Sequence, residues 1–423
     1  MTFVYMVLTL GIMVFVHELG HFIAARSFKI GVPVFSIGMG KRLFGIKKNG
    51  TDYCFSIMPF GGYVKLKGMD DFDGKERDDD DFMVKHPIKR ILVIFAGPFA
   101  NFILAFILLF LMTVIFGVSY MPNSYVYSVS SPYDTIFFKG DSVISINERP
   151  VVYYTDIFKY LRPNEINSFK VLRNNENITI SFKIDKPDSF ALYPAINTKV
   201  GLISPKSPAD KAGMMKGDII IAIDSVETKT WQEMSEIIRT KYDKTIAVKL
   251  QRGADTLIFS LIPEKREETV GDTLVYTGVI GIGYSSEIVK PAFTEAVKLT
   301  IERVNYISSS LFKFLAQLFT GKMSVKNLGG PISIYSMTGE SLKWGFDSFL
   351  AFVAFFSLNL FIFNLIPFPP LDGSYIMIFL FEMLFRKKVT TKFMSIYQQI
   401  GFFLLMALIV LVSFNDILRL VVK

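Results

Sequence analysis

Two histidines and a glutamate stand close together near the end of the first apolar stretch of this chain. They are His17, Glu18 and His21, in the run His-Glu-Leu-Gly-His. On a helix, residues four apart share one face, so both imidazoles could bind one Zn²⁺ with Glu18 beside it. Two imidazoles and one further ligand leave room for a water, whose pKa zinc lowers to about 7. Glu18 would then accept a proton from that water as it attacks a peptide carbonyl.

The composition is that of a membrane protein with extramembrane domains. Of the 423 residues, 51% are hydrophobic and 42 are Phe, and the mean hydropathy is +0.39, yet 20% are charged. Ionisable side chains are costly inside hydrocarbon, so the three in the first apolar run favour a functional site over a capping or packing pair of histidines. Apolar runs predict four membrane-spanning helices, over residues 1–25, 91–118, 346–381 and 400–421.

The basic residues predict how the chain crosses the membrane. Lys and Arg are concentrated in segments 26–90 and 382–399, which should therefore be cytoplasmic. The long segment 119–345 and both termini would then be extracytoplasmic. This asymmetry accounts for most of the net charge of +8, so no nucleic acid is expected as a partner, whereas the lipid bilayer is. The single cysteine, Cys54, excludes an intramolecular disulfide.

The predicted topology indicates where a third zinc ligand should be. Spans one and three run in the same direction, and the two histidines lie past the middle of span one, so their partner should come late in span three. Asp372 is the only carboxylate between residues 349 and 381, and it follows three prolines that break the helix. Asp372 is therefore the candidate ligand, and the alternative is a simple Asp-Gly turn at the membrane surface.

These residues resemble the motifs of the site-2 protease family of intramembrane zinc metalloproteases, in its bacterial RseP-like branch. The resemblance implies that His17, His21 and Asp372 bind zinc, that Glu18 is the catalytic acid and base, and that Asn364 holds substrate or the oxyanion. It rests on the His-Glu-Leu-Gly-His run, on Asn-Leu-Ile-Pro-Phe-Pro-Pro-Leu-Asp-Gly at 364–373, and on the stretches 35–40, 59–65, 96–102 and 329–332.

The resemblance also implies a setting and a class of substrate. The protein would lie in the bacterial inner membrane with its active site toward the cytoplasm. It would cut single-pass membrane proteins already trimmed outside, such as anti-sigma factors, and remnant signal peptides. A catalytically silent membrane scaffold is the main alternative, although a scaffold has no need of the four site residues. A metal transporter would need metal-binding residues along several spans, whereas here they cluster at one depth.

The segment 52–67 alternates in polarity and has turn glycines, which predicts a short sheet near the catalytic face. A transmembrane substrate must be opened into an extended form before water can attack it, and an exposed strand edge could pair with it. Gly61, Gly62, Tyr63 and Val64 are the candidate substrate-binding residues, and in the family this part is a membrane-re-entrant sheet. The alternative is a cytoplasmic hairpin that only connects two spans. The acid-rich run at 70–81 is predicted to be a solvated loop.

An internal repeat occupies the long outside segment. Lys-Gly-Asp at 139–141 returns at 216–218, an offset of 218 − 141 = 77 residues, and each copy continues into a β-run, a helical stretch and further strands. The pattern resembles tandem PDZ domains, over 119–195 and 196–287. Peptide C-termini could bind the second copy at Gly201, Leu202 and Ile203. The pair would act either as a sensor of freshly cut ends or, as we favour, as a steric filter for substrates with short external parts.

Apolar residues at spacings of three, four and seven predict an amphipathic helix followed by a loop within 288–345. This helix could lie in the outer membrane interface or pack into the core. The remaining histidine, His86, is too far from the metal motif to be a ligand. The stripe consists of Phe293, Ala296, Val297, Val304, Ile307, Leu311, Leu315 and Leu318.

The sequence thus predicts a multi-pass α-helical membrane protein with four transmembrane helices, a small membrane-associated β-sheet and two tandem extracytoplasmic PDZ domains. Its predicted function is that of an intramembrane zinc endopeptidase.

Overall fold

The computed structural model describes residues 1–69, 78–121, 125–184, 190–270, 273–323 and 329–421. Most of the predicted acidic loop at 70–81 lies outside these residues. The chain divides into two compact units, one formed by Met1–Phe116 with Pro291–Lys423 and the other by Gly117–Lys290.

The helices and strands, numbered in chain order, have the following bounds. The helices are α1 Thr2–Ser27, α2 Pro87–Ile115, α3 Tyr154–Lys159, α4 Pro208–Lys211, α5 Trp231–Arg239, α6 Phe293–Phe319, α7 Pro331–Trp344, α8 Phe346–Asn364, α9 Asp372–Phe385 and α10 Thr391–Val421. The strands are β1 Val34–Lys48, β2 Thr51–Lys65, β3 Val118–Tyr120, β4 Val126–Val129, β5 Ser142–Ile146, β6 Arg149–Pro150, β7 Ile166–Arg173, β8 Glu176–Lys183, β9 Leu192–Pro194, β10 Val200–Ile203, β11 Ile219–Ile223, β12 Val226–Glu227, β13 Ile246–Arg252, β14 Asp255–Leu261, β15 Glu264–Val270, β16 Thr273–Val279, β17 Ile282–Tyr284 and β18 Glu287–Val289.

Within the described residues, four helices are long and apolar enough to span a membrane, as the sequence predicts. They are Thr2–Ser27, Pro87–Ile115, Phe346–Asn364 and Lys392–Leu418. The boundaries of the third and fourth predicted spans are wrong. The third is interrupted after Asn364 by a proline-rich segment and resumes as α9, because proline cannot continue a helix.

The predicted loop 382–399 is shorter than expected. Helix α9 continues to Phe385, and α10 already begins at Thr391. The hydroxyl of Thr390 accepts a hydrogen bond from the Phe393 amide at 3.3 Å, which caps the start of α10. The first turns of α10 are polar, and hydropathy does not detect a helix that extends beyond its apolar part.

The region 288–345 contains two helices rather than a helix and a loop. Along α6, Val304, Leu311 and Leu315 are buried in a cluster with residues of α2 and α8, which favours packing into the core over a position in the membrane interface. Phe293, predicted on the same stripe, is 71% exposed and contacts Phe110 at a ring distance of 5.5 Å. Helix α7 begins at Pro331, where proline suits the first helical position.

Helices α1 and α2 pack closely where Gly20 meets the carbonyl of Ala96. A β-carbon at Gly20 would collide with that carbonyl, so only glycine allows this approach. His86 is the N-cap of α2, and its Nδ1 accepts the Ile88 amide at 3.3 Å.

Strands β1 and β2 form a strongly bent antiparallel hairpin. Val34–Ile37 of β1 pair on one side with 52–55 and on the other with 62–65, so the second half of β2 is an outer strand. The hairpin also exposes apolar side chains, including Phe44 at 61% and Ile46 at 73%. The predicted sheet is therefore present.

The unit Gly117–Lys290 contains two subdomains with the same strand order. The first sheet is β6-β5-β7-β8 and the second is β12-β11-β13-β14, which confirms the internal repeat. Each subdomain has its own apolar core, one around Phe137 and Phe169 and the other around Ile220 and Val248. The predicted boundary at 287 is early, because β18 continues to Val289 and pairs with β3.

Candidate metal centre

Three side chains that the sequence singles out converge in the membrane-spanning unit. Nε2 of His17 lies 3.0 Å from Oδ2 of Asp372, and Nε2 of His21 lies 3.5 Å from the same oxygen. The two Nε2 atoms are 3.2 Å apart. Both histidines are buried, and the side chain of Asp372 is 18% exposed. This group could hold one metal ion.

The backbone brings the three residues together from distant parts of the chain. His17 and His21 occupy successive turns on one face of α1. Asp372 is the first residue of α9, and the broken segment before it lets the chain turn toward α1. Gly373 packs on the carbonyls of Leu365 and Ile366, where a β-carbon would collide. The Asp-Gly pair therefore starts a helix and also presents a carboxylate to the histidines.

The donor set fits Zn²⁺. Two imidazoles and a carboxylate are the ligands of catalytic zinc sites that keep a position open for water. Nδ1 of His21 lies 2.9 Å from the carbonyl oxygen of Val93, so it donates its proton there and leaves the Nε2 lone pair for a cation. A β-carbon at Gly97 would collide with the His21 imidazole, so this glycine provides the space that the ring occupies.

Glu18 lies between the three converging residues and the β-hairpin. The backbone of Val64 lies close to its carboxyl. A β-carbon at Gly62 would lie 3.4 Å from Cγ of Glu18, so β2 passes directly beside this side chain. Gly61 has φ +90°, a conformation that favours glycine, and Tyr63 is 38% exposed. The structure therefore brings the candidate substrate-binding segment to the carboxylate next to the metal group.

The metal group does not include the other candidate residues. Asn364 is the last residue of α8 and is half-buried, so its role in holding substrate stays a prediction. Gly201, Leu202 and Ile203 belong to β10, one edge of which pairs with β17. Gly201 packs so closely on the Tyr284 carbonyl that a β-carbon would collide. Peptide binding at β10 also stays a prediction.

Two contacts of the site were missed by sequence reasoning. The carbonyl of Val93 supports His21, and Asn101 lies against His17 with its Nδ2 3.4 Å from His17 Nδ1. A backbone carbonyl leaves no mark in the sequence. Asn101 does leave one, because it is a polar residue within a long apolar helix, and that signal could have identified it.

Several apolar spanning helices around a buried His-His-Asp group with a glutamate beside it define a membrane-embedded metallopeptidase. The chain belongs to Peptidase family M50, whose profile matches residues 5–408. It is 32% identical over 445 residues to the Regulator of sigma E protease of Haemophilus influenzae, and the alignment covers 98% of each chain. It is 31% identical over 441 residues to a Neisseria meningitidis protein that is named a zinc metalloprotease, and the alignment covers 97% of each chain.

The expectations of a site-2 protease relationship, a multi-pass membrane protein, a zinc cofactor and metalloendopeptidase activity are thereby confirmed.

Proposed function

We propose that this chain is an intramembrane endopeptidase that hydrolyses peptide bonds in the transmembrane segments of single-pass membrane proteins. The observation that carries the proposal is the position of the metal group. His17 and His21 lie on a helix long and apolar enough to span a bilayer, so the reacting bond must reach them at membrane depth. The substrates would be proteins already shortened outside, such as trimmed anti-sigma factors, and remnant signal peptides. The name of the Haemophilus relative supports a role in sigma-factor signalling.

In this proposal His17, His21 and Asp372 hold the zinc ion. Bound zinc would acidify a water and polarise the substrate carbonyl. Glu18 would accept the proton of the attacking water and return it to the leaving amine. The nearby Val64 backbone would help to hold the carboxyl next to the metal group. Asn364 would hold substrate near the same place.

The outer segment of β2 would bind the opened substrate as an added strand. Residues 62–65 pair with β1 along one edge, and they pass beside Glu18. A substrate strand on the other edge would satisfy its backbone groups close to the metal. The exposed apolar residues of the hairpin, such as Phe44 and Ile46, support insertion into the bilayer rather than a purely cytoplasmic connection.

The two repeated subdomains would be tandem extracytoplasmic PDZ domains that act as a steric filter. Within the second subdomain, β10 already has β17 on one edge, and Val200 is hydrogen-bonded on its other side to Gly217 and Asp218. These bonds take up the start of the strand on that side, and we favour the filter over a sensor of free C-termini. The protein would lie in the bacterial inner membrane with both termini outside and the metal group toward the cytoplasm.

Zinc analysis combined with cleavage of a single-pass substrate by the purified full chain tests the site. We expect Glu18→Gln to keep one zinc per chain but to lose cleavage by about 100-fold or more, because the general base is removed. We expect His21→Ala to lose both zinc and cleavage. Cleavage at the wild-type rate by Glu18→Gln would refute the assigned role. Binding of peptides without zinc or cleavage in the wild type would favour the scaffold.

A further inference from the structure

Asn101 is a fully buried polar residue on α2 that contacts a predicted metal ligand. Its side chain is 0% exposed, and its Nδ2 lies 3.4 Å from Nδ1 of His17 on α1. Among the described residues its Oδ1 has no hydrogen-bond partner. A buried amide that lacks one partner costs stability, so its presence in an apolar helix needs an explanation.

The orientation of His17 provides that explanation. Nε2 of His17 faces Asp372 at 3.0 Å and His21 at 3.2 Å, so Nε2 is the atom that faces the cation. A neutral imidazole that offers the Nε2 lone pair to a metal carries its proton on Nδ1. Nδ1 then needs a hydrogen-bond acceptor, and the Asn101 amide lies against it.

Rotation of the amide by 180° about the Cβ–Cγ bond exchanges the positions of its nitrogen and oxygen. In the rotated form Oδ1 accepts the Nδ1–H of His17. In either orientation one atom of the buried amide lacks a protein partner. The hydrogen bond to His17 therefore determines which orientation the amide adopts. The unrotated amide suits a metal-free His17 whose Nε2–H donates to Asp372, and the rotated amide suits His17 as a ligand.

We propose that Asn101 is a positioning residue for zinc binding, which accepts the Nδ1–H of His17 and so fixes the tautomer and ring orientation in which Nε2 binds the metal. Val93 does the same for His21 through its carbonyl at 2.9 Å. The two supports lie eight residues apart, about two turns of α2. Helix α1 therefore supplies two ligands and α2 supplies the partner of each. The inference rests on the proposed zinc ligands.

The packing of α2 holds Asn101 in place independently of its side chain. The Ser357 hydroxyl of α8 donates to the backbone carbonyl of Asn101 at 2.9 Å. Ser357→Ala removes this bond and leaves the side-chain amide intact. It is therefore a matched control for packing changes at the same turn.

The experiment measures the zinc dissociation constant of the full chain in detergent, by competition with a chelating dye, in a Glu18→Gln background. We expect Asn101→Leu, which has the same branched shape but no acceptor, to weaken zinc binding by about 10- to 100-fold. We expect Asn101→Asp, whose carboxylate accepts the same proton, to have a zinc dissociation constant no more than about threefold above that of the parent. Ser357→Ala should stay within about twofold.

Two results would overturn the proposal. One is zinc binding by Asn101→Leu within about twofold of the parent. The other is a loss in Asn101→Asp as large as that in Asn101→Leu, which would mean that the side chain acts through packing alone. If the leucine variant does not fold, a loss of zinc affinity of about 10-fold or more in Asn101→Asp overturns the proposal. His17→Ala separates this outcome from a failure of the ligand assignment, because it should lose zinc whether or not Asn101 has the proposed role.

Discussion

Helix α9 carries two carboxylates in contrasting surroundings, Asp372 at its start and Glu382 near its end. Glu382 is 3% exposed, and its Oε2 lies 2.9 Å from Nη1 of Arg90 on α2. Its Oε1 accepts the Val389 amide at 3.1 Å, and the Arg90 guanidinium lies 4.5 Å from the Phe379 ring centroid. In the described part of the chain, the ion pairs of Asp372 are both with histidines.

The difference separates a structural charge pair from a metal site. At Glu382 the chain supplies the cation, and the pair joins α9 to α2 without any added group. At Asp372 the neighbours are two imidazoles, whose Nε2 lone pairs become available when they are neutral. With neutral imidazoles, such a cluster offers several ligand atoms and carries a net negative charge. A bound cation would balance that charge. Burial of charge alone does not indicate function, whereas a buried carboxylate between two imidazoles is a donor set for a metal ion.

The largest expected effect comes from Asp372→Asn. The amide keeps the shape but removes the negative charge, so zinc affinity should fall by at least about 100-fold and cleavage should be lost. The melting temperature of the metal-free protein should change little, because Asp372 is not paired with Arg or Lys in the described residues. Zinc titration and thermal unfolding of the chelator-treated protein measure the two quantities. Unchanged zinc affinity would remove Asp372 from the ligand set.

Glu382→Gln should give the opposite pattern. It leaves the Arg90 charge buried without its partner, which costs about 3 to 5 kcal/mol in the free energy of unfolding. Zinc affinity of the folded protein should stay within about threefold, since the ligands are untouched. Denaturation with and without chelator separates the two effects.

The double variant Arg90→Met with Glu382→Leu is the control for Glu382→Gln. It replaces the pair by apolar groups of similar size and should recover most of the stability. A Glu382→Gln protein that is fully stable yet fails to bind zinc would show that this pair belongs to the metal site.

The two carboxylates also show how far the sequence predicts the site. His17, Glu18 and His21 follow from local spacing, and Asp372 from its isolation in a broken apolar span. The sequence does not predict that Arg90 is the partner of Glu382. Hydropathy and charge identify Arg90 only as a basic residue at a membrane boundary. Which face of α2 meets α9 depends on helix register, which no local pattern specifies. The same limit hid Val93, whose backbone carbonyl supports His21.

The fold was predictable where hydropathy or a repeat marks it. The four spanning helices and the two repeated subdomains were predicted, whereas α7 was missed because its apolar residues do not form a long run. The repeated ion pairs in the subdomains were missed for a different reason. Arg173 pairs with Asp141 and Arg252 with Asp218, but the arginine offset is 252 − 173 = 79, not 77, so a fixed period does not align them.

Asp218 extends the comparison outside the membrane-spanning unit and carries the smallest predicted effect. Like Glu382, Asp218 forms an ion pair with an arginine of the same chain. Arg252 lies 2.8 Å from each of its carboxylate oxygens, and the Met215 amide donates to it at 2.8 Å. Burial alone would raise the pKa of Asp218, but the hydrogen bonds from Arg252 and Met215 hold that pKa below its ordinary value. Its stabilisation is therefore present above the unfolded-state pKa and is lost as pH falls through the lower folded-state pKa.

We accordingly expect Asp218→Asn to lose about 1 kcal/mol of stability at pH 7, since it weakens charge-assisted hydrogen bonds. The stability of the variant should depend less on pH below about 4 than that of the parent, because the asparagine does not titrate. Fluorescence of Trp231 during denaturation reports on this subdomain in a Trp344→Phe background, since the chain has only two tryptophans. Asp255→Asn, at an exposed position of the same sheet, is the control. If the free energy of unfolding of parent and Asp218→Asn fell equally with pH, the ion pair with Arg252 would add no pH-dependent stability, and this prediction would be wrong.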